Sequence, residues 1–501
     1  MKFSLIKLRE LANLPEEKYS LEQITSAINS LGFEVEEVIK CADVEGIKFG
    51  KVLKTLKNEN SEKLTICKIK FNDKERTIQT TATNVKEGMT ILAFVPGSRR
   101  EDITFGAKEM AGVLSEGMLT SFGELGFDKD LLHPRHEGIT EYHFDISEDP
   151  IKVLKLQDYI IDVDILSNRS DANSYLVMAR ELSAYFNTKT KELKAKTPTF
   201  KSAIKVQNGK AQSLSFVEVN DDFELTIEDE ILLYKNGIKS INKFADLSNL
   251  ILIMTGQPAH AYDSAKVKGP MSASHKSGKV KAFGKEVELN KNLVITSGNK
   301  IVSIAGVIGI EDYEVSDKTS KALIELGRFD AKDIRNNMIS AKLQSKAGIQ
   351  SAKIFGSGTT KLAIDYISSK VTSHSQVINF KESEPKEVPF SKEEISKVFG
   401  FDITKDKKYS LITKQLESLG FEIKKDLIKA PSYRVDVNTQ QDINEEFFRF
   451  YGYNELKPVA PKAEVARVRR SDSISLAIAL KGYNQVLTYT LVNEKDSKIN
   501  P

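Results

Sequence analysis

The chain has 501 residues, which exceeds the ~250–300 residues at which a single hydrophobic core stops growing, so three or four modules are expected. The formal net charge is only +3, which excludes a histone-like polycation and leaves any nucleic-acid contact to local basic patches. Hydrophobic residues make up 40% and charged residues 29%, which is typical of a folded chain and excludes general disorder.

Hydrophobic targeting signals and cysteine content narrow the class of protein further. The sequence has no run of about 18 apolar residues, and its start, MKFSLIKLRE, has no apolar signal core. We therefore expect a cytoplasmic protein with no membrane partner. Cys41 and Cys67 are the two cysteines, too few for a disulfide framework or a four-ligand cysteine zinc site.

The first segment, 1–39, is expected to form a small helix–strand module. Ser20 and Gln23 form a predicted capping box at the start of a helix that Gly32 ends. The sequence SLGFEV at 30–35 is nearly repeated as SLGFEI at 418–423. Two helix–Gly–strand corners of the same kind are therefore predicted.

Residues 40–155 are predicted to be rich in short strands. Cys67, Ile69 and Phe71 alternate with lysines, as in a half-buried strand with a basic outer face, and MTILAFV at 89–95 predicts another strand. Many short strands separated by Gly/Pro turns favour an oligonucleotide-binding (OB-fold) barrel. Its candidate basic patch comprises Lys51, Lys54, Lys57, Lys63, Lys68, Lys70, Arg99 and Arg100. The alternative is an ordinary solvated surface.

Three motifs here resemble a known family. NSEKL at 60–64, SEGML at 115–119 and the opening MKFS…LREL are similar to the amino-terminal part of bacterial phenylalanine–tRNA ligase beta subunits. The resemblance implies a tRNA-binding module, and it makes the patch residues candidate contacts to tRNA(Phe), in particular Lys63, Lys68, Lys70, Arg99 and Arg100.

The linker, 156–199, carries SNRSD at 167–171 and ARE at 179–181, which resemble the family's linker motif. Asn168, Arg169 and Asp171 match the motif, while Leu166-Ser167 replaces its Thr-Pro. Without the resemblance, this stretch is interpreted as a polar turn that caps the helix carrying Met178 and Tyr185.

Residues 200–380 resemble the family's editing domain, which hydrolyses tyrosine wrongly attached to tRNA(Phe). The matching stretches are DLSN at 246–249, GQPAHAYD at 256–263 and IAGVIGIE at 304–311. His260 and Glu311 are therefore the candidate editing residues. QSAKIFGSG at 350–358 lacks the family's Arg-aromatic-Glu-Arg run, so we expect editing to be weak or lost, with His260 and Glu311 as remnants.

The segment 383–458 is expected to be a winged-helix-like domain. Ser391 and Glu394 predict a second capping box, and Gly400 predicts the end of that helix. PSYRVDV at 431–437 alternates as strands do, and a helix is predicted to follow through Tyr451.

That last helix has an acidic side. Asp442, Glu445 and Glu446 are spaced i, i+3, i+4, and carboxylates that converge there with Asp436 would suit Mg²⁺. The alternative is that acids in a first helical turn favour the helix dipole. PSYRVDVNTQQDINEEFFRFYGYN at 431–454 resembles a hallmark of the same family, which implies that these four acids hold a magnesium ion shared with the alpha subunit.

The last segment, 465–501, contains KGYNQVLTYT at 481–490, which resembles the opening of the family's synthetase-like core. Because the family's beta subunits continue for several hundred residues, we expect an amino-terminal fragment of a mycoplasma-like beta subunit, truncated at its carboxyl end.

Taken together, the resemblance implies an α+β multidomain subunit of an aminoacyl-tRNA synthetase. Its complex, of two alpha and two beta chains, attaches phenylalanine to tRNA(Phe) with ATP. In the family the alpha subunit binds ATP and phenylalanine, so no aminoacylation residues are expected here. The alternatives are a non-catalytic tRNA-binding or scaffolding protein, and a free-standing editing hydrolase.

Overall fold

The computed structural model describes residues 1–282, 284–456, 473–487 and 491. Two compact units are present, Met1–Glu455 and Leu456–Pro501. The first unit is a mixed α+β assembly of several sheets, in agreement with the expected class.

The chain begins with a short helix–strand module. Ser20 caps its second helix through the predicted capping box, and Gly32 follows the helix with a positive φ of 85°. Both predicted boundaries are therefore confirmed. The elements are β1 (Lys2–Ser4), α1 (Leu5–Ala12), α2 (Leu21–Ser30) and β2 (Glu34–Cys41).

A β-rich module follows. Its main sheet has five strands in the order β12-β7-β4-β5-β6, beside a three-stranded sheet β3-β8-β9 and a hairpin β10-β11. The strands are β3 (Val44–Glu45), β4 (Lys48–Asn58), β5 (Ser61–Lys70), β6 (Glu75–Thr80), β7 (Thr90–Phe94), β8 (Arg99–Arg100), β9 (Ile103–Thr104), β10 (Lys108–Met110), β11 (Val113–Ser115) and β12 (Met118–Leu119). The predicted alternation at Cys67, Ile69 and Phe71 is confirmed, since all three are buried.

The linker returns the chain to the first module. Its elements are α3 (Pro150–Val153), β13 (Asp158–Asp164) and α4 (Tyr175–Phe186). Strand β13 pairs antiparallel with both β1 and β2, and Asp158 lies opposite Cys41. The β-rich module is therefore inserted between two neighbouring strands of one sheet.

The middle of the chain packs helices against two sheets, β14-β17-β18-β19-β20 and β15-β21-β16. Its strands are β14 (Val206–Gly209), β15 (Ser213–Asn220), β16 (His260–Asp263), β17 (Met271–Ala282), β18 (Lys285–Ser297), β19 (Lys300–Ile304), β20 (Ile308–Gly309) and β21 (Lys321–Arg328). Its helices are α5 (Ile227–Lys235), α6 (Lys243–Thr255), α7 (Ala331–Ala341), α8 (Lys346–Ser351) and α9 (Ser357–Lys370). Phe216, Tyr262 and Leu323 lie in the core between them.

A smaller helix–strand module ends the first unit. Its elements are β22 (Lys386–Pro389), α10 (Lys392–Phe399), α11 (Lys407–Ser418), β23 (Glu422–Ile423), β24 (Leu427–Ala430) and α12 (Gln440–Tyr451), with the sheet order β22-β24-β23. Gly420 follows α11 with a φ of 93°, so the second predicted helix–Gly–strand corner is confirmed.

Two local predictions in this module were wrong. Ser391 caps the amide of Glu394, but its own amide donates to Gln440 at 2.7 Å, so the reciprocal half of the capping box comes from another helix. Residues 431–437 are turns rather than a strand. Burial does not alternate along this segment, because Arg434, which the alternation placed on an outer face, is buried between Asp436 and Glu446.

The second unit contains the described helix α13 (Ser473–Ala479). Parts of the expected synthetase-like segment, 465–472, 488–490 and 492–501, lie outside the described residues. Among the helices of the described ranges, none has the length and apolarity needed to cross a membrane.

Candidate functional site

The outer face of β4 and β5 carries two pairs of lysines that lie directly opposite each other. Lys51 faces Lys70 and Lys54 faces Lys68 in the antiparallel register, and a bulge between Val52 and Lys54 keeps all four on one face. We call these four residues the lysine face. Like charges opposite each other destabilise a strand pair, so this arrangement has a cost that an anionic partner would relieve.

No carboxylate neutralises the lysine face within the described part of the chain. None of its four ammonium groups forms an ion pair or a hydrogen bond with another described residue. Lys63, another candidate contact, is exposed near the start of the same strand, β5. The strand pair therefore presents uncompensated positive charge.

Arg99 and Arg100 are placed differently. They form β8, which belongs to the separate sheet β3-β8-β9. Arg99 pairs with Glu45 at 2.8 Å and donates to the carbonyl of Glu101 at 2.7 Å, so much of its charge is already compensated. The structure therefore does not bring these arginines into the lysine face.

Helix α12 is the acidic helix; it carries Asp442, Glu445 and Glu446, and Asp436 lies just before it. Two of these four acids form ion pairs with arginine. Arg434 binds Asp436 at 2.9 and 2.7 Å, and it binds Glu446 at 2.9 and 2.6 Å. Arg449 adds a further bond to Glu446 at 2.7 Å. Burial disfavours the ionised form of Glu446, yet the two arginines hold its pKa well below the ordinary value.

The other two acids point elsewhere. Asp442 closes the capping box of α12, where one of its oxygens accepts from the amide and the hydroxyl of Thr439. Glu445 is exposed and accepts a bond from the hydroxyl of Tyr453. Within the described ranges, no three carboxylate, histidine or cysteine side chains are grouped closely enough to hold a metal ion.

The arginines extend this cluster into the linker. Arg449 binds Glu181 of α4 at 2.6 Å, and Glu181 also accepts from Arg169 at 2.5 Å. Arg169 in turn binds Asp171 at 3.0 Å. Three guanidinium groups and four carboxylates thus form one continuous chain, which we call the charge network, of Asp171, Arg169, Glu181, Arg449, Glu446, Arg434 and Asp436.

The linker motif therefore has a different role from the predicted one. Ser174, not Asn168 or Asp171, caps α4 by accepting from the amide of Val177 at 3.2 Å. Arg169 and Asp171 are buried and hold the charge network. The polar-turn interpretation missed this because the partners of Arg169 lie far along the chain.

His260 lies on β16 beside a small cavity. The residue is half-buried, desolvation lowers the pKa of its ring to about 4, and its buried Nε2 has no hydrogen-bond partner among the described residues. The cavity measures about 40 Å³, whereas ligand sites usually span ~300–1,000 Å³. Its lining includes Pro258, His260, Ser303, Glu325, Phe329 and Ser351.

Glu325 is a cavity residue that sequence reasoning missed. It pairs directly with His260 across β16 and β21, and it accepts a bond from the Tyr262 hydroxyl at 2.5 Å. Burial raises its pKa to about 7. The available signal was a lone acid within the apolar strand KALIELGR.

Glu311, in contrast, does not line this cavity. It lies in a short turn, where it pairs with Lys281 at 3.3 Å and accepts a bond from the amide of Gly284. The structure therefore separates the two candidate editing residues and places Glu325, not Glu311, next to His260.

Family models match three stretches of the chain. Residues 47–140 match the model of a tRNA binding domain, 230–376 match the B3/4 domain, and 388–453 match the tRNA synthetase B5 domain. The lysine face lies in the first of these, the His260 cavity in the second, and the acidic helix in the third.

Curated relatives are similar over the whole chain. The phenylalanine–tRNA ligase beta subunit of Mycoplasmopsis pulmonis is 39% identical to this chain, and that of Mycoplasma mobile is 37% identical to it. Each match covers 100% of this chain and 70% of the relative. The subunit from Rickettsia felis is 28% identical, with 100% of this chain and 67% of the relative covered.

A solved structure is also similar. The amino-terminal fragment of the phenylalanyl-tRNA synthetase beta subunit from Pyrococcus horikoshii is 16% identical, with a TM-score of 0.37. The match covers 59% of this chain and 88% of that chain.

Proposed function

The chain belongs to the family of phenylalanine–tRNA ligase beta subunits, and from that membership we propose how its surfaces serve the enzyme. It is a subunit of an aminoacyl-tRNA synthetase, a ligase, and it carries a tRNA-binding domain. The proposed reaction is the ATP-dependent attachment of phenylalanine to tRNA(Phe). In our proposal an alpha subunit binds ATP and phenylalanine, in a cytoplasmic complex of two alpha and two beta chains.

The β-rich module is the proposed tRNA contact, and the lysine face is the observation that carries this proposal. We propose that the module is an OB-fold barrel and that phosphate groups lie over Lys51, Lys54, Lys68 and Lys70. Phosphates would relieve the repulsion between the opposed lysines and release counterions on binding. Lys63 is also on β5 and is proposed as a separate contact, because its odd spacing from Lys68 places it on the other face of the strand. Arg99 and Arg100 contribute less because Arg99 is already paired.

The acidic helix is the proposed contact with the alpha subunit, within a module we propose to be winged-helix-like. Asp442 has one oxygen free of protein hydrogen bonds, and Glu445 is exposed, so both fit a hard cation. Asp436 fits through the lone pairs that Arg434 leaves free. Glu446 does not fit, because it is buried and its oxygens accept three bonds from Arg434 and Arg449.

The described residues do not group three of these side chains closely enough to hold an ion by themselves. We therefore propose that Asp436, Asp442 and Glu445 would bind Mg²⁺ only in the assembled enzyme, where groups of the alpha subunit and water would complete the site, while Glu446 orients Arg434. The ion would supply a bridging positive charge between the two chains. Because it would bind the assembled state better than the separate chains, it would stabilise the assembly.

Replacing Asp442 by asparagine tests this contact. Asparagine keeps a helix-capping oxygen but removes the charge, so the variant should fold, yet Mg²⁺-dependent association with the alpha subunit should weaken at least roughly tenfold. Calorimetry with Mg²⁺, with and without alpha, measures association, and phenylalanylation of tRNA(Phe) by the mixture measures activity.

The matched control is Asp330→Asn, which changes another helix-capping aspartate, at α7. Its association and phenylalanylation should equal those of the parent. Association that is equally strong in Asp442→Asn and indifferent to Mg²⁺ would leave Asp442 as a helix cap alone.

Editing is proposed to be weak or lost. The cavity beside His260 is about 40 Å³, too small for an aminoacyl group, and the Arg-aromatic-Glu-Arg run is missing at 350–358. Rejection of tyrosine would then depend on the synthetic site alone. An apolar pocket rejects an added hydroxyl by only ~10²-fold.

The expected result is that tyrosine-charged tRNA(Phe) mixed with the full chain loses its tyrosine no faster than in buffer. A deacylation time course measures this, with phenylalanine-charged tRNA(Phe) as the reference substrate. Rapid hydrolysis that disappears in both His260→Ala and Glu325→Gln would contradict the proposal and assign editing to this cavity.

A further inference from the structure

A second cavity, of about 320 Å³, lies where the first module meets the helices α6 and α8. Lys2 of β1, Lys346 of α8 and Lys353, just after α8, line it. Its volume is at the lower end of the range of small-molecule sites, ~300–1,000 Å³. It is separate from the lysine face, since it shares none of those residues.

This cavity has surplus positive charge. Lys2, Lys346 and Lys353 form no ion pair with any described residue, and the side chain of Lys346 donates to the carbonyl of Asn236. Asp162, the carboxylate that lines the cavity, is bonded to the amino group of Met1 at 3.3 Å. An anion in the cavity would therefore meet three ammonium groups that form no ion pair with a described residue, beside the carboxylate of Asp162, which also attracts Lys346.

The pKa values agree with this picture. Burial lowers the pKa of Lys346 and repulsion from Lys2 lowers it further, while the carboxylate of Asp162 opposes the shift. Burial also lowers the pKa of Lys353, while the carboxylate of Asp164 opposes the shift. Both lysines lose hydration and neither forms an ion pair, so nearby carboxylates offset the shift only in part, and a bound anion would move their pKa values back towards the ordinary range.

The remaining wall is apolar. Leu252 and Ile253 of α6 are buried against it, and Ile349 of α8 is 48% exposed. The amide side chains of Asn173 and Gln350 add polar groups beside this wall. An aliphatic surface next to a cluster of ammonium groups suits a ligand with a flat ring at one end and a phosphate at the other.

We propose that this cavity binds a nucleotide, with its phosphate on Lys346 and Lys353 and its base against Ile349 and Leu252. The phosphate could be supplied by an RNA strand or by a free mononucleotide. The site is independent of the lysine face, so it adds a second nucleotide contact to the chain.

Lys346→Gln/Lys353→Gln in the full chain tests the proposal with two probes, adenosine monophosphate by calorimetry and tRNA by filter binding. At least one probe should bind roughly tenfold more weakly, and loss of one RNA phosphate contact should reduce the slope of log affinity against log salt by about 0.7. A mononucleotide effect identifies a free nucleotide site, and an effect on tRNA alone identifies an RNA phosphate.

The control Lys381→Gln/Lys397→Gln removes the same charge from exposed positions without described partners. If both double variants bind both probes equally, the proposal is overturned. Ile349→Ser tests the base contact. The variant should bind adenosine monophosphate more weakly, while its affinity for inorganic phosphate should stay the same. Replacing the lysine face should not alter mononucleotide binding, so failure of one site is distinguishable from failure of the other.

Discussion

Replacing Lys51, Lys54, Lys68 and Lys70 together by glutamine should weaken tRNA binding roughly tenfold or more and make its salt dependence shallower. Each lost phosphate contact should reduce the slope of log affinity against log salt by roughly 0.7–0.9, so four should reduce it by about 3. Filter binding at several salt concentrations measures both quantities.

The same variant should also be more stable than the parent. Removing two opposed lysine pairs relieves roughly 0.2–1 kcal/mol for each pair, which thermal unfolding would register as a higher midpoint. Arg99→Gln/Arg100→Gln is the control, and it should change tRNA affinity little because Arg99 is paired with Glu45. A larger loss in this control than in the lysine variant would place the contact on β8.

Arg449→Met should destabilise the first unit by about 3–5 kcal/mol. The substitution leaves Glu181 and Glu446 buried with one arginine fewer each, and removing one partner of a buried ion pair typically has that cost. Urea unfolding followed by circular dichroism measures the loss. Hydrogen exchange should accelerate in both α4 and α12, because the network joins these helices.

Lys361→Met provides the comparison. Lys361 pairs with Asp365 at 2.5 Å, but 43% of its side chain is exposed, so its loss should cost no more than about 1 kcal/mol. A cost for Arg449→Met as small as that of Lys361→Met would mean that methionine packing replaces the buried charges without penalty.

Local features were predictable because their signals lie within a few residues. The cap at Ser20, the glycine at 32 and the buried alternation in β5 depend on neighbours in the chain. The pairing of β13 with β1 and β2 was not predictable in this way. Partners such as Asp158 and Cys41 are separated by the whole β-rich module, and no local pattern records their pairing.

In the candidate sites, too, the features set by nearby residues were predictable and those set by distant segments were not. Alternation predicted a basic outer face at Lys68 and Lys70, but the opposed Lys51 and Lys54 depend on the register and on a bulge. The acidic spacing of α12 was correct, yet it did not show that arginines hold Glu446. Burying an arginine requires partners, and those partners come from distant segments, so a spacing rule within one helix missed them.

The insertion of the β-rich module also fixes an order of events during synthesis. Strands β1 and β2 cannot form their sheet until β13 is present, because β13 lies between them. The ribosome makes β13 only after residues 42–157 have been added. At ~5–20 residues per second, that interval is on the order of ten seconds.

Strands β4 to β7, in contrast, all lie within 48–94 and pair with one another in that stretch, and β12 joins the edge of β7 soon afterwards. The inserted module can therefore mature on the ribosome before the segment that precedes it. Strands β1 and β2 leave the ribosome first, yet they pair into their sheet only after the inserted module has formed. Until then the unpaired edge of β2 can pair with another nascent chain.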